Sequence, residues 1–432
     1  MKISYYALGC KVNEYEAAAV VNRFIEHGFE LVDFHAKSDV YIINTCTVTA
    51  TADAKSRKII RQAVRRNPDA VIAVMGCYSQ LNPDMAMSIP GVDIVIGTDN
   101  RHQLFEYVTA ALEGKKPYYQ VEAIKNTREY EELKIKKYKN RTRGFVKIED
   151  GCNNFCSYCT IPYARGRVRS RQPEAVIAEI NNLCNQGIKE IVLTGINTAA
   201  YGTDLIDFSF TDLLNDIFLK VDNLCRIRIS SVEITEITDR LLETLYHNKT
   251  RFCNHFHIPL QAGTDKILNM MNRKYTTADY GRRLNQIRRL FPGVNITSDV
   301  MVGFPGENRG DFERARRFIE SLAFGEMHVF PFSPRPGTKA MRLGGKIPAA
   351  EKKRRVTELL ALNKEQAVKY RRTFLNKTLQ VLVEKNVSGI ASGHSSNYIA
   401  MEFANEKAAP NRIYPVRMTV AAYPVSQGVI DV

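Results

Sequence analysis

The sequence has 432 residues, more than one hydrophobic core usually supports, so two or three domains are expected. With 44% apolar and 25% charged residues it is typical of a globular protein in water, and no window reaches the roughly eighteen apolar residues of a membrane span. Lysine and arginine exceed acidic residues by 15 charges, which favours a polyanionic partner such as nucleic acid over a merely basic protein.

The first residues run directly into a short apolar strand, without the charged and apolar regions of a secretory signal. We therefore expect a cytoplasmic protein. Nine cysteines in a reducing compartment are seldom disulfides, so they indicate metal ligation or catalysis together with a few buried thiols.

Along residues 1–120, short apolar runs alternate with helical stretches, a pattern that predicts a parallel sheet covered on both faces. This is the first predicted domain, a three-layer α/β unit. Residues 121–143 are strongly charged with little apolar periodicity, and we interpret them as a basic linker.

A second alternating series fills residues 144–372, with six strands that begin near FVKI, EIVLTG, RIRISS, NHFHIPL, NITSDVMVG and EMHVFPF. Six strand–helix units predict a partial, TIM-like (β/α)6 barrel whose active site lies at the carboxyl ends of its strands. Residues 373–432 contain alternating runs with Gly and Ser turns, which predict a small all-β domain.

The strongest local signal is a CxxxCxxC run formed by Cys152, Cys156 and Cys159 directly after the first barrel strand. Three thiolates from one loop suit a 4Fe-4S cluster whose fourth iron remains free for a small molecule. Zinc is the alternative, but a closed zinc site needs a fourth Cys or His nearby, and none follows in the sequence.

Three more cysteines are distant in sequence, yet each follows an apolar strand: Cys10, Cys46 and Cys77. In a parallel sheet these positions share the carboxyl edge, so we expect the thiols to converge on a second centre. Three separately buried thiols are the alternative. We interpret Cys184, Cys225 and Cys253 as structural.

Five motifs together resemble one family, the radical-SAM methylthiotransferases. They are GCKVN (9–13), NTCTVT (44–49), GCY (76–78), DGCNNFCSYCTIPYARGRVRSR (150–171) and GFPGE (303–307). The resemblance covers the whole chain and implies a radical-SAM barrel with a C-terminal TRAM-like RNA-binding domain. GCKVN and RGRVRSR are most similar to the branch that acts on threonylcarbamoyladenosine beside the tRNA anticodon.

The resemblance implies two 4Fe-4S clusters. The cluster on Cys152, Cys156 and Cys159 would cleave S-adenosylmethionine (SAM) to a 5'-deoxyadenosyl radical that removes hydrogen from the adenine. The auxiliary cluster on the other three cysteines would deliver the methylthio group. The cofactors perform the hard chemistry, and the protein supplies ligands and orientation.

We expect SAM to lie across the strand ends, where the glycine would allow close backbone approach and polar side chains would bind ribose or the amino group. The predicted SAM-binding residues are Tyr158, Thr194, Gly195, Asn197, Ser231, Glu233, His257 and Gln261. For His257, packing in the core with a backbone partner is the alternative.

The alternating arginines Arg165, Arg167, Arg169 and Arg171 would share one side of an extended segment, which suits tRNA phosphates. Solvated surface charges are the alternative reading of this pattern. Tyr398, Phe403 and Tyr414 are possible base-stacking residues, although core packing is the more ordinary role.

The family also implies a reductant protein such as flavodoxin or ferredoxin, a sulfur donor, and no membrane partner. Two other hypotheses remain open at this point. The same chemistry could act on isopentenyladenosine in tRNA or on an aspartate of a ribosomal protein. A zinc-stabilised RNA-binding protein without enzymatic activity is the third hypothesis.

Overall fold

The computed structural model describes residues 1–115, 118–135 and 142–431. The helices are α1 (Lys11–Glu26), α2 (Ala50–Arg66), α3 (Cys77–Leu81), α4 (Pro83–Met87), α5 (Leu104–Leu112), α6 (Ile161–Arg165), α7 (Pro173–Asn185), α8 (Phe210–Lys220), α9 (Asp239–His247), α10 (Asp265–Met270), α11 (Thr277–Leu290), α12 (Arg309–Leu322) and α13 (Ala349–Arg372). In the described residues, no helix is both long enough and apolar enough to cross a lipid bilayer.

The strands are β1 (Lys2–Ala7), β2 (Glu30–Leu31), β3 (Val40–Thr45), β4 (Val71–Gly76), β5 (Ile94–Ile96), β6 (Tyr118–Gln120), β7 (Arg143–Lys147), β8 (Glu149–Asp150), β9 (Arg169–Ser170), β10 (Glu190–Thr194), β11 (Arg226–Ile229), β12 (His255–His257), β13 (Asn295–Val302), β14 (Glu326–Pro331), β15 (Thr378–Val387), β16 (Ile390–Ser395), β17 (Ala400–Ala404), β18 (Ile413–Val420) and β19 (Ser426–Ile430).

The N-terminal domain is a parallel sheet with strand order β2-β1-β3-β4-β5-β6. Every residue of β3 and β4 is buried, as expected for central strands that are covered on both faces. Helices α1 and α5 pack on one face of the sheet, and α2 and α4 pack on the other. The predicted three-layer α/β domain is confirmed.

The predicted basic linker, residues 121–143, is more structured than its charge pattern indicated. Residues 136–141 lie outside the described residues. In the described part, Leu133 and Ile135 are buried against Tyr15 and Ala19 of α1. Charge density in the sequence concealed this packing, because two isolated apolar residues give no periodic signal.

Six parallel strands form the central domain in chain order, β7, β10, β11, β12, β13 and β14. They fall in two three-stranded ladders, β7-β10-β11 and β12-β13-β14. Parallel bridges between Ile227 and Phe252 and between Ser231 and His257 join the two ladders. Among the described residues no ladder joins β14 back to β7, so the predicted partial barrel is confirmed and is open on one side.

The C-terminal domain is a closed barrel with strand order β15-β16-β17-β19-β18, which confirms the predicted all-β domain. Its core includes Val381, Met401 and Met418. Helix α13 leads into this domain, and arginines of β11 bind its backbone. The Arg228 guanidinium, for example, donates to the carbonyl oxygen of Ser396 at 3.1 Å.

Candidate active site between the N-terminal domain and the barrel

Cys10, Cys46 and Cys77 lie at the carboxyl ends of β1, β3 and β4, which are adjacent in the sheet. Cys10 is the residue before α1, and Cys77 is the first residue of α3. A Cβ atom on Gly9 would lie 2.7 Å from the Cys46 Sγ, so only glycine fits at this position. The Cys46 thiol therefore packs against the backbone directly before Cys10. The structure therefore brings these three thiols to one edge.

Cys152, Cys156 and Cys159 lie on the loop between β8 and α6. The amide of Cys159 donates to the carbonyl of Cys156, a turn that places the two thiols close together. Two N–H groups point at sulfur: Ile161 N lies 3.4 Å from the Cys159 Sγ, and the Arg273 guanidinium lies 3.5 Å from the Cys156 Sγ. Such N–H···S contacts stabilise the thiolate form that a metal cluster binds.

The two triplets face each other. Cys77 is close enough to Cys159 for its charge to affect the pKa of that thiol. Burial raises the pKa of Cys77 to about 12 and that of Cys159 to about 12, so both thiols are neutral unless a cation takes the place of the proton. Iron in a cluster would be such a cation.

In the part of the chain that the structure describes, no three His, Cys, Asp or Glu side chains are arranged to hold a single metal ion. A 4Fe-4S cluster makes a different demand on its ligands, because each thiolate binds a different iron and the sulfurs stand farther apart. Three thiols from one loop and three from one sheet edge are the soft ligands that an iron–sulfur cluster takes.

One arginine connects the two triplets. Arg165 is fully buried, and its Nε donates to the Cys77 Sγ at 3.2 Å. Its two other nitrogens donate to Asn13 Oδ1 at 2.6 Å, to Glu16 Oε2 at 2.9 Å and to Asp150 at 3.2 Å. Asn13 and Glu16 belong to the N-terminal domain and Asp150 to the barrel, so Arg165 joins the domains at the site.

The same buried ion network includes Lys147, whose ammonium lies 2.8 Å from Glu16 and 2.6 Å from Asp150. Arg101 pairs with Glu16 from the N-terminal side. Burial alone would raise the pKa of Asp150, but Arg165 and Lys147 hold it well below its usual range. The acidic and the basic side chains of the network are therefore both ionised. Their ion pairs set the relative position of the two domains.

Most predicted SAM-binding residues lie at the carboxyl ends of the barrel strands. Thr194 ends β10 and is buried. A Cβ on Gly195 would clash with Glu149 Oε2 at 2.2 Å, so the close approach requires glycine. The amide of Asn197 donates to Glu149 at 3.0 Å, and its side-chain amide donates to Glu236 at 2.6 Å.

Glu233 and Tyr158 lie beside Arg273, and Ser231 lies two residues before Glu233. Glu233 forms a buried ion pair with the Arg273 guanidinium, which also points at the Cys156 Sγ. Tyr158 packs with its ring edge toward Phe304, at 6.5 Å between centroids. Ser231 bridges to the end of β12 and is half-buried. The structure brings these three predicted residues to the side of the cluster loop.

His257 and Gln261 differ in their freedom to bind a ligand. Both ring nitrogens of His257 have side-chain partners, Thr297 Oγ1 at 2.9 Å and Asp299 Oδ2 at 3.3 Å, and not the backbone partner of the packing alternative. Gln261 has a φ of 65°, a left-handed conformation, and its Oε1 is buried without a hydrogen-bond partner. Gln261 is therefore available to a polar ligand.

Several buried oxygens at this rim have no partner among the described residues: Glu149 Oε1, Thr160 Oγ1, Thr198 Oγ1, Ser230 Oγ, Glu236 Oε2 and Gln261 Oε1. Each costs about 1–3 kcal/mol unless something binds it. Burial raises the pKa of Glu236 to about 8, and it raises that of Glu149 well above its usual value, so both carboxyls can donate hydrogen bonds. This donor and acceptor set fits the amino, carboxylate and ribose groups of SAM.

Sequence reasoning missed Glu149, Glu236, Arg273 and Asp299 at this site. Glu149 had an available signal, since it lies two residues after the first barrel strand and just before the CxxxCxxC run. Arg273 had none, because it lies on a loop after α10 and reaches the thiols only through the fold.

The predicted RNA-facing arginine stripe is wrong for three of its four members. Arg165, Arg169 and Arg171 are buried, with exposures of 0, 3 and 0%. Arg171 pairs with Glu132 and Glu179. The segment has a helical turn at α6 followed by only two residues of strand, so the side chains do not alternate as in an extended chain. Arg167 alone is exposed.

The tail aromatics are mainly packing residues, as the alternative reading held. Phe403 is buried in the β-barrel core, and Tyr414 packs against it. Tyr398 stacks between His255 and His394, with ring centroids 4.9 and 4.7 Å away. Of the cysteines interpreted as structural, Cys184 and Cys253 are buried and Cys225 is exposed.

Two family descriptions match this chain. Residues 146–319 match the Radical SAM superfamily. Residues 2–97 match the Uncharacterized protein family UPF0004. The first match spans the barrel with the CxxxCxxC loop, and the second spans the sheet that carries the other three cysteines.

Relatives of similar length have informative names. The chain is 43% identical to "Threonylcarbamoyladenosine tRNA methylthiotransferase MtaB" of Bacillus subtilis, over 99% of this chain and 95% of the relative. It is 37% identical to the protein of that name in Aquifex aeolicus, over 89% and 93%. It is 36% identical to "tRNA-2-methylthio-N(6)-dimethylallyladenosine synthase" of Desulfitobacterium hafniense, over 94% and 92%.

Among solved structures, the chain is similar to the radical S-adenosylmethionine methyltransferase TsrM from Kitasatospora setae with cobalamin and a [4Fe-4S] cluster bound. The TM-score is 0.59 at 14% identity, and the match covers 95% of this chain and 80% of the other. A likeness at this identity shows a shared fold.

Proposed function

The chain belongs to the radical-SAM methylthiotransferase family, and from this premise we propose that it converts N6-threonylcarbamoyladenosine beside the tRNA anticodon to its 2-methylthio derivative. One observation carries the proposal: two cysteine triplets from different domains face each other, with Cys77 and Cys159 in electrostatic range. The identity of 43% to a relative named for that substrate supports the choice of base.

In this proposal Cys152, Cys156 and Cys159 hold one 4Fe-4S cluster, and Cys10, Cys46 and Cys77 hold the auxiliary cluster. When bound, the clusters and SAM supply the radical, the sulfur and the methyl group. The protein's own part is to present six thiols, to direct N–H groups at two of the sulfurs, and to bury the space between the domains. Excluding water protects reactive species from side reactions.

SAM-binding is assigned to the rim that carries the unpartnered oxygens. Gln261 Oε1 would accept a hydrogen bond from SAM, and the protonated carboxyl of Glu236 would donate one. Gly195 keeps the backbone of the β10 end close to Glu149. Tyr158 is part of the cluster loop and lies beside Arg273, which suits contact with the adenine of SAM.

The proposal requires partners besides tRNA. Reductive cleavage of SAM consumes an electron, so a reductant protein such as flavodoxin or ferredoxin is required. Each product gains a sulfur atom, so a sulfur donor must restore the enzyme. A cytoplasmic location is part of this proposal, since thiol-bound clusters need a reducing environment.

A second candidate substrate is the dimethylallyl (isopentenyl) adenosine of tRNA, because a relative named for that product is 36% identical over 94% of this chain. The same clusters and SAM rim would serve it. The choice between the two bases therefore depends on the residues that meet the N6 substituent.

The deciding experiment is mass spectrometry of tRNA nucleosides from cells with and without the gene. We expect the methylthio form of threonylcarbamoyladenosine to vanish on deletion and to return with wild type. Cys156→Ala should fail to restore it, while Cys225→Ala, which removes an exposed cysteine outside both triplets, should succeed. If deletion leaves the threonylcarbamoyl nucleosides unchanged and removes the methylthio isopentenyl nucleoside, the assignment of threonylcarbamoyladenosine as the substrate is refuted.

Iron analysis of the purified protein tests the zinc hypothesis separately. Two 4Fe-4S clusters require about eight irons per chain and give a brown protein that absorbs near ~400 nm. Zinc as the only bound metal would refute the enzymatic proposal.

A further inference from the structure

The interior of the partial barrel is polar below the cluster loop. On β7, Gly144 and Val146 face the surrounding helices, so the alternate residues Arg143, Phe145 and Lys147 face the interior. On the neighbouring strand β10, Glu190 pairs in register with Arg143. The lower interior is therefore lined by charged side chains.

These charges do not balance. Three interior arginines share two carboxylates: Arg143 lies 2.7 Å from Glu384, Arg226 lies 2.7 Å from Glu190, and Arg228 lies 2.7 Å from Glu190. His255 beside them is neutral and adds no charge of either sign, because burial lowers its pKa well below the usual value. One positive charge from the arginines is left over before any other residue is counted.

Lys11 adds a further cation to the same interior. It is the first residue of α1, one helical turn before Tyr15, and the Tyr15 face of α1 packs against Phe145. The side chain thus points toward the inner face of β7, within electrostatic range of Tyr398, Arg228, Arg143 and the Glu190 carboxylate. Burial lowers the pKa of its ammonium from the ordinary value, so a bound carboxylate would stabilise the charged form. Within the described residues, Lys11 forms no salt bridge.

Water and ligands can enter this interior from the open side of the barrel. Asp299 keeps 27% and His257 16% of its side chain exposed on the inner face. The His328 ring of β14 lies 6.0 Å from that of His257, and His328 is exposed. Thr297 Oγ1 lies 2.9 Å from a ring nitrogen of both His257 and His255, and His255 is within electrostatic range of Lys11, so polar side chains continue from Asp299 to Lys11.

Lys11 directly follows Cys10, a proposed ligand of the auxiliary cluster. If the base is held between the two thiol triplets, as the proposed function requires, its N6 substituent can extend into the interior that Lys11 faces. A threonylcarbamoyl group carries a carboxylate and a hydroxyl, whereas a dimethylallyl group is wholly apolar. An interior with surplus positive charge favours the first and disfavours the second.

We propose that Lys11 binds the carboxylate of the threonylcarbamoyl group and so selects this base over adenines with an uncharged N6 substituent. The inference rests on the proposed function, since it assigns a specificity residue to that same site. Arg143 and Arg228 support the lysine by keeping the interior positive without reaching the ligand themselves, because both are paired with glutamates.

The test uses the reconstituted holoenzyme and anticodon stem-loops that carry threonylcarbamoyladenosine either as the free acid or as its methyl ester. Competition binding at fixed salt gives the ratio of the two affinities. We expect wild type to prefer the acid about tenfold, in line with a charge-assisted contact. Lys11→Gln should bind both forms equally, and Lys11→Arg should keep the preference.

Lys37→Gln is the matched control, since it removes an exposed lysine of the same domain and should leave the ratio unchanged. The inference is overturned if wild type binds acid and ester equally, or if Lys11→Gln keeps the wild-type ratio even while both affinities fall. Wild-type turnover is followed in the same preparation. Absence of a methylthio product with the acid preference intact would refute the proposed function and leave the Lys11 assignment standing.

Discussion

The Nε of Arg165 donates a hydrogen bond to the Sγ of Cys77 at 3.2 Å, and the two residues belong to different domains. Arg165 ends the helix that follows the CxxxCxxC loop, while Cys77 follows the central strand of the N-terminal sheet. The contact therefore ties the position of one proposed cluster to that of the other.

Replacing this arginine by lysine should disrupt the site. A lysine ammonium cannot reach Cys77, Asn13, Glu16 and Asp150 together, so buried carboxylates would lose a partner. We expect Arg165→Lys to lower the free energy of unfolding by about 3–5 kcal/mol, the usual result of breaking a buried ion pair. Iron content should also fall. Thermal unfolding and iron analysis of the purified protein measure both effects.

Arg167→Lys is the control for that change, because Arg167 is exposed. It should leave stability and iron content at the wild-type level. Equal effects of the two substitutions would show that the buried contacts of Arg165 contribute nothing specific.

Arg167 is the member of the arginine stripe that remains available to RNA. Its guanidinium lies 5.9 Å from the centroid of the Phe155 ring, beside the cluster loop. We expect Arg167→Ala to weaken tRNA binding several-fold and to reduce the slope of log affinity against log salt by about 1. Filter binding at several salt concentrations measures the slope. Arg61→Ala, on an exposed position of α2, should keep the wild-type slope.

Glu236 should make the stability of the cofactor-free protein depend on pH. Burial raises its pKa to about 8. The protonated form is favoured in the folded state, so this contribution is full below the unfolded pKa near ~4.5 and is lost as pH rises through about 8. Glu236→Gln should flatten the decline between those values, as measured by urea unfolding midpoints. Parallel curves for the two proteins would contradict the assignment.

Tyr398 should hold the C-terminal barrel on the central domain. Its ring stacks on His255 and His394, and the Arg228 guanidinium lies 4.7 Å from its centroid. We expect Tyr398→Ala to lower the free energy of unfolding by about 1–3 kcal/mol and to speed proteolysis at the domain junction. Tyr398→Phe keeps the stacked ring and should be nearly neutral. Proteolysis rates that match wild type in Tyr398→Ala would exclude this docking role.

Much of the fold could be predicted from local pattern. Strand–helix alternation indicated both α/β domains, because the central strands are buried on both faces and appear as unbroken apolar runs. The sequence alone placed Cys10, Cys46 and Cys77 at one edge of the N-terminal sheet, since the carboxyl ends of parallel strands share that edge. The CxxxCxxC loop is similarly local, as its three ligands come from one short segment.

The roles of charged residues could not be predicted in this way. The sequence RGRVRSR is the same whether its arginines face solvent or a buried carboxylate. Arg165 pairs with Glu16 and Arg171 pairs with Glu132, and both glutamates lie far from these arginines in sequence. Only the tertiary structure decided that three of the arginines are structural. Lys11 acquires its surroundings in the same way, from strands and a third domain that the helix meets only after folding.

The sequence by itself thus determined which cysteines can act together, because thiol spacing and strand ends are local properties. The tertiary structure decided which charges hold the domains, which oxygens remain open to SAM, and which cation remains for the substrate. Burial and pairing depend on neighbours distant in the chain, and electrostatic energies depend on those neighbours far more than on the residue itself.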